Sequence, residues 1–117
     1  MKKKDIKNEA DLLPLLSNET DFEKEVLIAA YKIPKGMVST YKKIAEKIGR
    51  PRAYRAVGNA LHKNPIAPII PCHRVVRSDG GFGGEKKGAE ARRRLLENEG
   101  VPIKKGIVVI NNKILFI

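Results

Sequence analysis

The spacing of apolar residues predicts three helices in the first half of the chain. Apolar positions recur every three or four residues, which is the period of one helix face. Thr20 and Glu23 form a capping-box pair ahead of the first helix, and Ser39 or Thr40 caps the second, which Gly49 ends. The predicted helices cover about residues 21–31, 40–48 and 52–62.

The third helix carries a polar face with Arg52, Arg55, Asn59 and His62 opposite its apolar face. Two short helices joined by a tight turn, the second with a basic outer face, are typical of a helix-turn-helix. Many amphipathic helix pairs bind nothing, so this pattern alone leaves nucleic-acid binding open. Gly58 in mid-helix costs about 1 kcal/mol relative to Ala, and close approach of DNA or of a neighbouring helix explains it equally well.

The second half of the chain predicts short β elements around one further helix. Residues 66–70 have the pattern of a short buried strand or extended run, and residues 89–98 that of a fourth helix with Leu95 and Leu96 inward. The tail alternates around Asn111-Asn112, which predicts a closing β-hairpin within 103–117. The fold class is therefore mainly α with short β elements, a winged-helix-like helix-turn-helix domain over 21–117 that follows an N-terminal extension over 1–20. The apolar patch of that extension, Leu12 to Leu16, is expected to pack on the body.

The charge balance favours a polyanionic partner. Lys and Arg total 24 and Asp and Glu total 13, so the formal net charge is +11. A lysine-rich solvated surface explains the same charge, so DNA binding is one of two interpretations. No apolar run approaches the ~20 residues of a membrane span, and we expect a cytoplasmic, nucleoid-associated monomer.

Cys72 is the single cysteine and the strongest candidate for chemistry. A thiol reacts as its thiolate, and a base close by favours that form. His73 follows directly, but neighbours on an extended chain point to opposite faces, so it would act through a bend or a water. The alternative is a buried structural cysteine, which is the commoner fate of a lone thiol. The two histidines lack partners at zinc spacing, so we expect no metal site and no cofactor.

Several motifs, taken in order, resemble the O6-alkylguanine-DNA alkyltransferase family (methylated-DNA–protein-cysteine methyltransferases). Residues 70–76, Ile-Pro-Cys-His-Arg-Val-Val, are similar to its active-site signature. Residues 38–41 resemble the start of its first recognition-motif helix, and residues 55–60 with Asn64-Pro65 resemble its DNA-reading helix and the hinge after it. Residues 95–100 resemble its closing helix. The resemblance covers about residues 21–102 and implies a minimal form with the DNA-binding and transferase half alone.

The resemblance implies a role for each matching residue. Cys72 would accept the alkyl group from O6-alkylguanine in double-stranded DNA, with O4-alkylthymine as a second candidate substrate. His73 would take the thiol proton through a water, and Glu99 would orient His73. Arg55 would fill the place of the flipped base. The remaining implied residues are Gly58 and Asn59 for DNA contact, and Tyr41, Asn64, Val75, Gly83 and Lys86 for the base pocket.

The sequence departs from the family pattern at two positions in the matched region. The resemblance implies that a loop near Gly83 to Lys86 closes on the base, and in this loop Glu85 stands where many members have Tyr. Tyr54 precedes Arg55, where a smaller residue is usual. Two alternatives stay open. One is a non-enzymatic lesion sensor resembling the alkyltransferase-like proteins, which replace the acceptor cysteine. The other is a plain winged-helix regulator with a structural cysteine. The run Arg92-Arg93-Arg94 is interpreted as a solvated helix face, with phosphate contact as the alternative.

Overall fold

Short helices and two-residue strands build the protein in a computed structural model that describes residues 8–67, 69–83 and 86–116. Two 3-10 turns, Leu13–Leu16 and Cys72–Arg74, interrupt the α-helices. The helices are α1 (Glu9–Leu12), α2 (Asp21–Tyr31), α3 (Tyr41–Lys47), α4 (Tyr54–His62) and α5 (Lys86–Asn98). The strands are β1 (Ser39–Thr40), β2 (Val75–Val76), β3 (Ile103–Lys104) and β4 (Ile107–Val108). The mainly α class with short β elements is confirmed.

The described part of the N-terminal extension belongs to the main hydrophobic core. Leu12 and Leu16 are fully buried among α2, α3 and α4 side chains, whereas Leu13 remains half exposed. The expectation that the apolar patch packs on the body is therefore confirmed for Leu12 and Leu16. Residues 1–7 lie outside the described residues.

Local side-chain caps start α2 and α3. The Thr20 Oγ1 accepts from the Glu23 N–H at 3.1 Å, and the Glu23 carboxylate accepts from the Thr20 N–H at 3.0 Å, which confirms the capping box. The Thr40 Oγ1 accepts from the Lys43 N–H at 3.0 Å, so Thr40 caps α3 and Ser39 lies in β1. These contacts fix where each helix begins, because they satisfy backbone donors that the first turn leaves free.

Helices α3 and α4 form the predicted helix-turn-helix. Gly49 has φ +79°, a conformation that glycine adopts at low cost, and it ends α3 as predicted. The prediction that α4 starts near Arg52 was two residues early, because Pro51 and Arg52 form the turn and the helix begins at Tyr54. Val57, Ala60 and Leu61 bury one face of α4 in the core. The opposite face is therefore left at the surface.

A parallel strand pair carries the two segments that flank the site. Ser39 pairs with Val75 and Thr40 with Val76, so β1 and β2 run in the same direction. Tyr41 and Arg77 consequently leave the same end of the pair. The chain tail joins these strands through a parallel bridge from Leu115 to Val38.

The predicted strand over residues 66–70 is wrong. Its described residues form turns, and the Ile70 N–H donates to the Ile66 carbonyl at 3.0 Å. The Asn64 Oδ1 accepts from the Ile66 N–H at 2.9 Å, and this local contact starts a turn in place of a strand ladder. Ile66 and Ile70 are buried as the apolar pattern requires. Pro68 lies outside the described residues.

Two further details of the second half differ from the predictions. A closing hairpin is present, but β3 and β4 form it and its turn is Lys105–Gly106. Both turn residues have positive φ, which a tight two-residue hairpin turn requires. The Asn111 side chain instead caps a turn by accepting from the Lys113 N–H at 2.9 Å. Leu96 is buried, but Leu95 is 41 % exposed. Helix α5 also begins at Lys86, three residues before the predicted start.

Candidate functional site

Cys72 begins a 3-10 turn that connects the core to β2. Pro71 precedes the turn, the Cys72 N–H donates to the Ile70 carbonyl at 2.9 Å, and the Arg74 N–H donates to the Pro71 carbonyl at 2.9 Å. The turn removes the extended geometry on which the sequence argument about opposite faces depended. Cys72 is half-buried and packs against the main core, and His73 is buried.

Glu99 ties the two residues after Cys72 to the end of α5. Its Oε2 lies 2.8 Å from the His73 Nε2. The Arg74 guanidinium forms a fork on the same carboxylate, with Nε donating to Oε1 and Nη2 to Oε2, each at 2.9 Å. The remaining Arg74 nitrogen, Nη1, donates to the Ile33 carbonyl at 2.8 Å. Arg74 therefore connects the end of α2, the cysteine turn and the end of α5.

The electrostatics of this cluster set the tautomer of His73. Burial alone raises the pKa of Glu99, but hydrogen bonds from Arg74 and His73 and their positive charge outweigh it and bring this pKa to about 2. The carboxylate is then ionised at neutral pH and only accepts hydrogen bonds. In neutral His73, Nε2 must therefore carry the proton, and the lone pair of Nδ1 is free to accept one.

Tyr41 lies at the first position of α3, between Gly58 of α4 and Gly83. Its ring packs on Gly58, where an added methyl group would lie 3.7 Å from the ring. This distance is ordinary van der Waals contact, so the Tyr41 ring leaves room for a methyl group and does not by itself require glycine at this position. On the other side, a methyl group at Gly83 would lie 3.2 Å from the Tyr41 hydroxyl. Burial raises the pKa of Tyr41, although Arg92 and the Gly83 backbone lower it in part, so the phenol remains a hydrogen-bond donor at neutral pH.

A cavity of about 290 Å³ opens beside Cys72, between the end of α4 and the start of α5. Its polar lining includes Asn64, His62 and Arg92. The Asn64 Nδ2 donates to the Ile70 carbonyl at 2.6 Å, so its amide fixes the turn that leads to Cys72. The remaining lining residues are Leu61, Ala67 and Gly88.

Arg92 was not predicted as a site residue, and its interpretation as solvated surface is wrong. Its side chain is half-buried; Nη2 donates to the Gly83 carbonyl and Nη1 lies 3.4 Å from the His62 Nε2. Among the described residues, its Nε is buried without a hydrogen-bond partner. The amphipathic pattern of α5 gave no sign of this, because the partners lie nine and 30 residues away. Arg74 was also missed as the residue that holds Glu99.

The other predicted site residues lie around this centre at different distances from it. Arg55 is exposed on α4 and lines a groove with Tyr41. Asn59 lies in a separate depression with Thr20. Val75 is buried in β2. Lys86 is exposed at the start of α5. Gly84 and Glu85 lie outside the described residues, so the predicted loop from Gly83 to Lys86 and the Glu85 departure receive no structural account.

A family model described as the DNA-binding domain of 6-O-methylguanine DNA methyltransferase matches residues 21–101. The chain belongs to this family. The matched region includes Cys72, His73 and Glu99 together with the helix-turn-helix. The resemblance seen in the sequence motifs is therefore confirmed at the level of the family.

Individual relatives and solved structures are also similar to this chain. A methylated-DNA–protein-cysteine methyltransferase of Methanosarcina barkeri is 53% identical over 74% of this chain and 55% of its own length. The O6-methylguanine methyltransferase of Mycobacterium tuberculosis matches with a TM-score of 0.66 at 45% identity, over 73% of this chain and 53% of that one. The S. pombe ATL in complex with DNA matches with a TM-score of 0.70 at 32% identity, over 82% and 94%. The chain spans about half the length of the methyltransferases it matches.

Within the described residues, the helices are too short and too polar to cross a membrane.

Proposed function

We propose that this protein repairs DNA by transferring the alkyl group of O6-alkylguanine irreversibly to Cys72. The observation that carries the proposal is the coupling of a half-buried thiol, open to a cavity, with a histidine that an ionised Glu99 orients. A plain winged-helix regulator has no use for this arrangement. Its cysteine would be structural, and a thiol open to a cavity next to an oriented histidine would serve no purpose there.

The proposed transfer exchanges one bond for another. The Cys72 sulfur attacks the alkyl carbon, the bond from that carbon to the guanine O6 breaks, and a carbon–sulfur bond forms. The thiol proton passes first through a water to the Nδ1 of His73. The broken bond leaves its electron pair on the guanine, and the proton is then passed on to this anion, so the products are neutral guanine and the Cys72 thioether. The thioether does not revert, so each molecule acts once.

Tyr41 and Arg55 support the delivery of the base. A stacked guanine cannot reach a cavity in the protein unless it leaves the helix, which costs a few kcal/mol. Arg55, exposed on α4, would fill the gap in the stack, and the Tyr41 phenol would donate to the base and press on the neighbouring phosphate. Asn64, Val75, Gly83 and Lys86 would border the base, while Gly58 and Asn59 would face the DNA. The +11 charge supplies sequence-independent affinity, and the protein would act as a monomer in the cytoplasm, where its thiol stays reduced.

A non-enzymatic lesion sensor is the second candidate. It is favoured by the match to S. pombe ATL, which covers nearly the whole of that chain and was obtained with DNA bound. A further solved structure, S. pombe Atl1 with damaged DNA containing O6-carboxymethylguanine, matches at 36% identity with a TM-score of 0.66, over 72% of this chain and 80% of that one. The presence of Cys72 beside the His73–Glu99 pair favours transfer over sensing.

Intact-protein mass spectrometry decides between these functions. The protein is incubated with a duplex that carries O6-methylguanine, and the Cys72→Ala variant and an unmodified duplex serve as controls. Transfer predicts a gain of about 14 Da, once per molecule, mapped to Cys72 and absent from both controls. An unchanged mass with lesion-selective binding would support the sensor, and an unchanged mass without selectivity would leave only a DNA-binding domain.

A further inference from the structure

A basic groove lies beside the helix-turn-helix, separate from the cavity at Cys72. Lys42, Arg55 and Arg77 contribute cations to it, and no acidic residue lines it within the described part of the chain. The other lining residues are Tyr41, Pro51, Tyr54 and Ser78. Asp79 pairs with Arg77 beside the groove, so three cations and one carboxylate leave a net positive charge there, which a further anion would offset. The groove therefore fits a polyanion that crosses it.

The backbone holds Arg77 in a fixed position at the edge of this groove. The Arg77 N–H donates to the Gly81 carbonyl, and the Gly80 N–H donates to the Arg77 carbonyl, both at 2.8 Å. Gly80 has φ +86°, and the Val108 N–H donates to its carbonyl at 2.9 Å. A methyl group at Gly80 would lie 2.2 Å from the Val108 carbonyl oxygen, so this close approach requires glycine. The turn after β2 is thus fastened to the closing hairpin.

The Arg77 side chain is oriented by Asp79. Its Nη2 donates to the Asp79 Oδ2 at 2.6 Å, while the Asp79 Oδ1 accepts from the Gly81 N–H at 2.8 Å. Both hydrogen bonds lower the pKa of Asp79. Both side chains are more than half exposed, so the ion pair adds little to stability. The arrangement nevertheless presets the direction of the guanidinium and leaves its other nitrogens available.

We propose that Arg77 binds a backbone phosphate of the DNA strand that carries the flipped nucleotide, with Asp79 as its positioning residue. The proposal rests on the function proposed above. Tyr41 and Arg77 leave the same end of the β1–β2 pair, and Arg55 lines the same groove, so a strand next to Arg55 and Tyr41 passes Arg77. A guanidinium can bind a phosphate in a bidentate manner, with two parallel hydrogen bonds, whereas the Lys42 ammonium cannot.

The test is the salt dependence of duplex binding for the wild type, Arg77→Ala and Arg77→Lys. Each phosphate contact contributes about 0.9 to the slope of log K against log salt concentration. We expect Arg77→Ala to bind undamaged and methylated duplexes about tenfold more weakly at low salt, with a slope smaller by about 0.9. Arg77→Lys should keep the wild-type slope, because it keeps the charge. Its affinity should lie between those of Arg77→Ala and the wild type, because lysine cannot form the bidentate hydrogen bonds to the phosphate.

Arg93→Ala is the matched control, since it removes the same charge from α5, where Arg93 pairs with Glu97 at 3.4 Å. Its affinity should stay within about twofold and its slope should equal that of the wild type. An Arg77→Ala slope equal to that of the wild type would overturn this proposal alone. A slope change of the same size in Arg93→Ala would also overturn it, because the effect would then be one of net charge. A wild-type protein that binds neither duplex would overturn the proposed function as well.

Discussion

In the Glu99→Gln variant, the carboxylate that receives three hydrogen bonds from His73 and Arg74 becomes a neutral amide. The pKa of Glu99 falls from 4.5 to about 2 in the folded protein. At about 1.4 kcal/mol per pKa unit, this fall corresponds to ~3 kcal/mol of stabilisation at neutral pH. Because water still screens part of the carboxylate, we expect a loss of about 1.5–2 kcal/mol in the variant.

The pH dependence of that loss identifies its origin. A carboxyl group with a lowered folded pKa stabilises the protein fully above its unfolded value of 4.5, and this stabilisation is lost as the pH falls towards 2. The difference in free energy of unfolding between wild type and Glu99→Gln should therefore be constant from pH 8 to about pH 5. It should shrink to about half by pH 3.

Urea denaturation followed by circular dichroism at pH 7, 5 and 3 measures this difference. Glu97→Gln is the control, because Glu97 lies on the same helix and its ion pair with Arg93 is exposed. The control should change stability by less than about 0.5 kcal/mol at every pH. If Glu99→Gln lost no more than the control, or if its loss were independent of pH, the account of the His73–Glu99–Arg74 cluster would be refuted.

Two further substitutions test the delivery of the base and the role of the extension. Arg55→Ala should slow repair of duplex DNA at least tenfold, since base flipping costs a few kcal/mol. The same variant should react with free O6-benzylguanine at a rate within about twofold of the wild type, because a free base needs no flipping. Equal losses in the two single-turnover assays would contradict a flipping role. Leu16→Ala should lower the free energy of unfolding by about 2–5 kcal/mol in thermal or urea unfolding, because Leu16 is fully buried. Leu13→Ala, at a half-exposed site, should change the free energy of unfolding by less than about 0.5 kcal/mol. Similar effects of the two substitutions would show that the extension does not belong to the core.

The sequence by itself determined the features that depend on residues a few positions apart. The Thr20–Glu23 box, a cap at Ser39 or Thr40 and the end of α3 at Gly49 follow from backbone donors and torsion angles within one helical turn. The same holds for the buried faces of α2 and α4, since the helix period alone sets them. Cys72 could be singled out because it is the only thiol and stands in a distinctive motif.

Only the tertiary structure decided which distant groups meet. Arg74 reaches Glu99 across 25 residues and the Ile33 carbonyl across 41, and no local pattern specifies such contacts. The inward turn of Arg92 likewise depends on the position of the Gly83 carbonyl. Residues 66–70 are apolar enough for a strand, but the Asn64 side chain and the surrounding core select a turn. Local hydrogen bonds are fixed by sequence spacing, whereas contacts between elements depend on how the whole core packs.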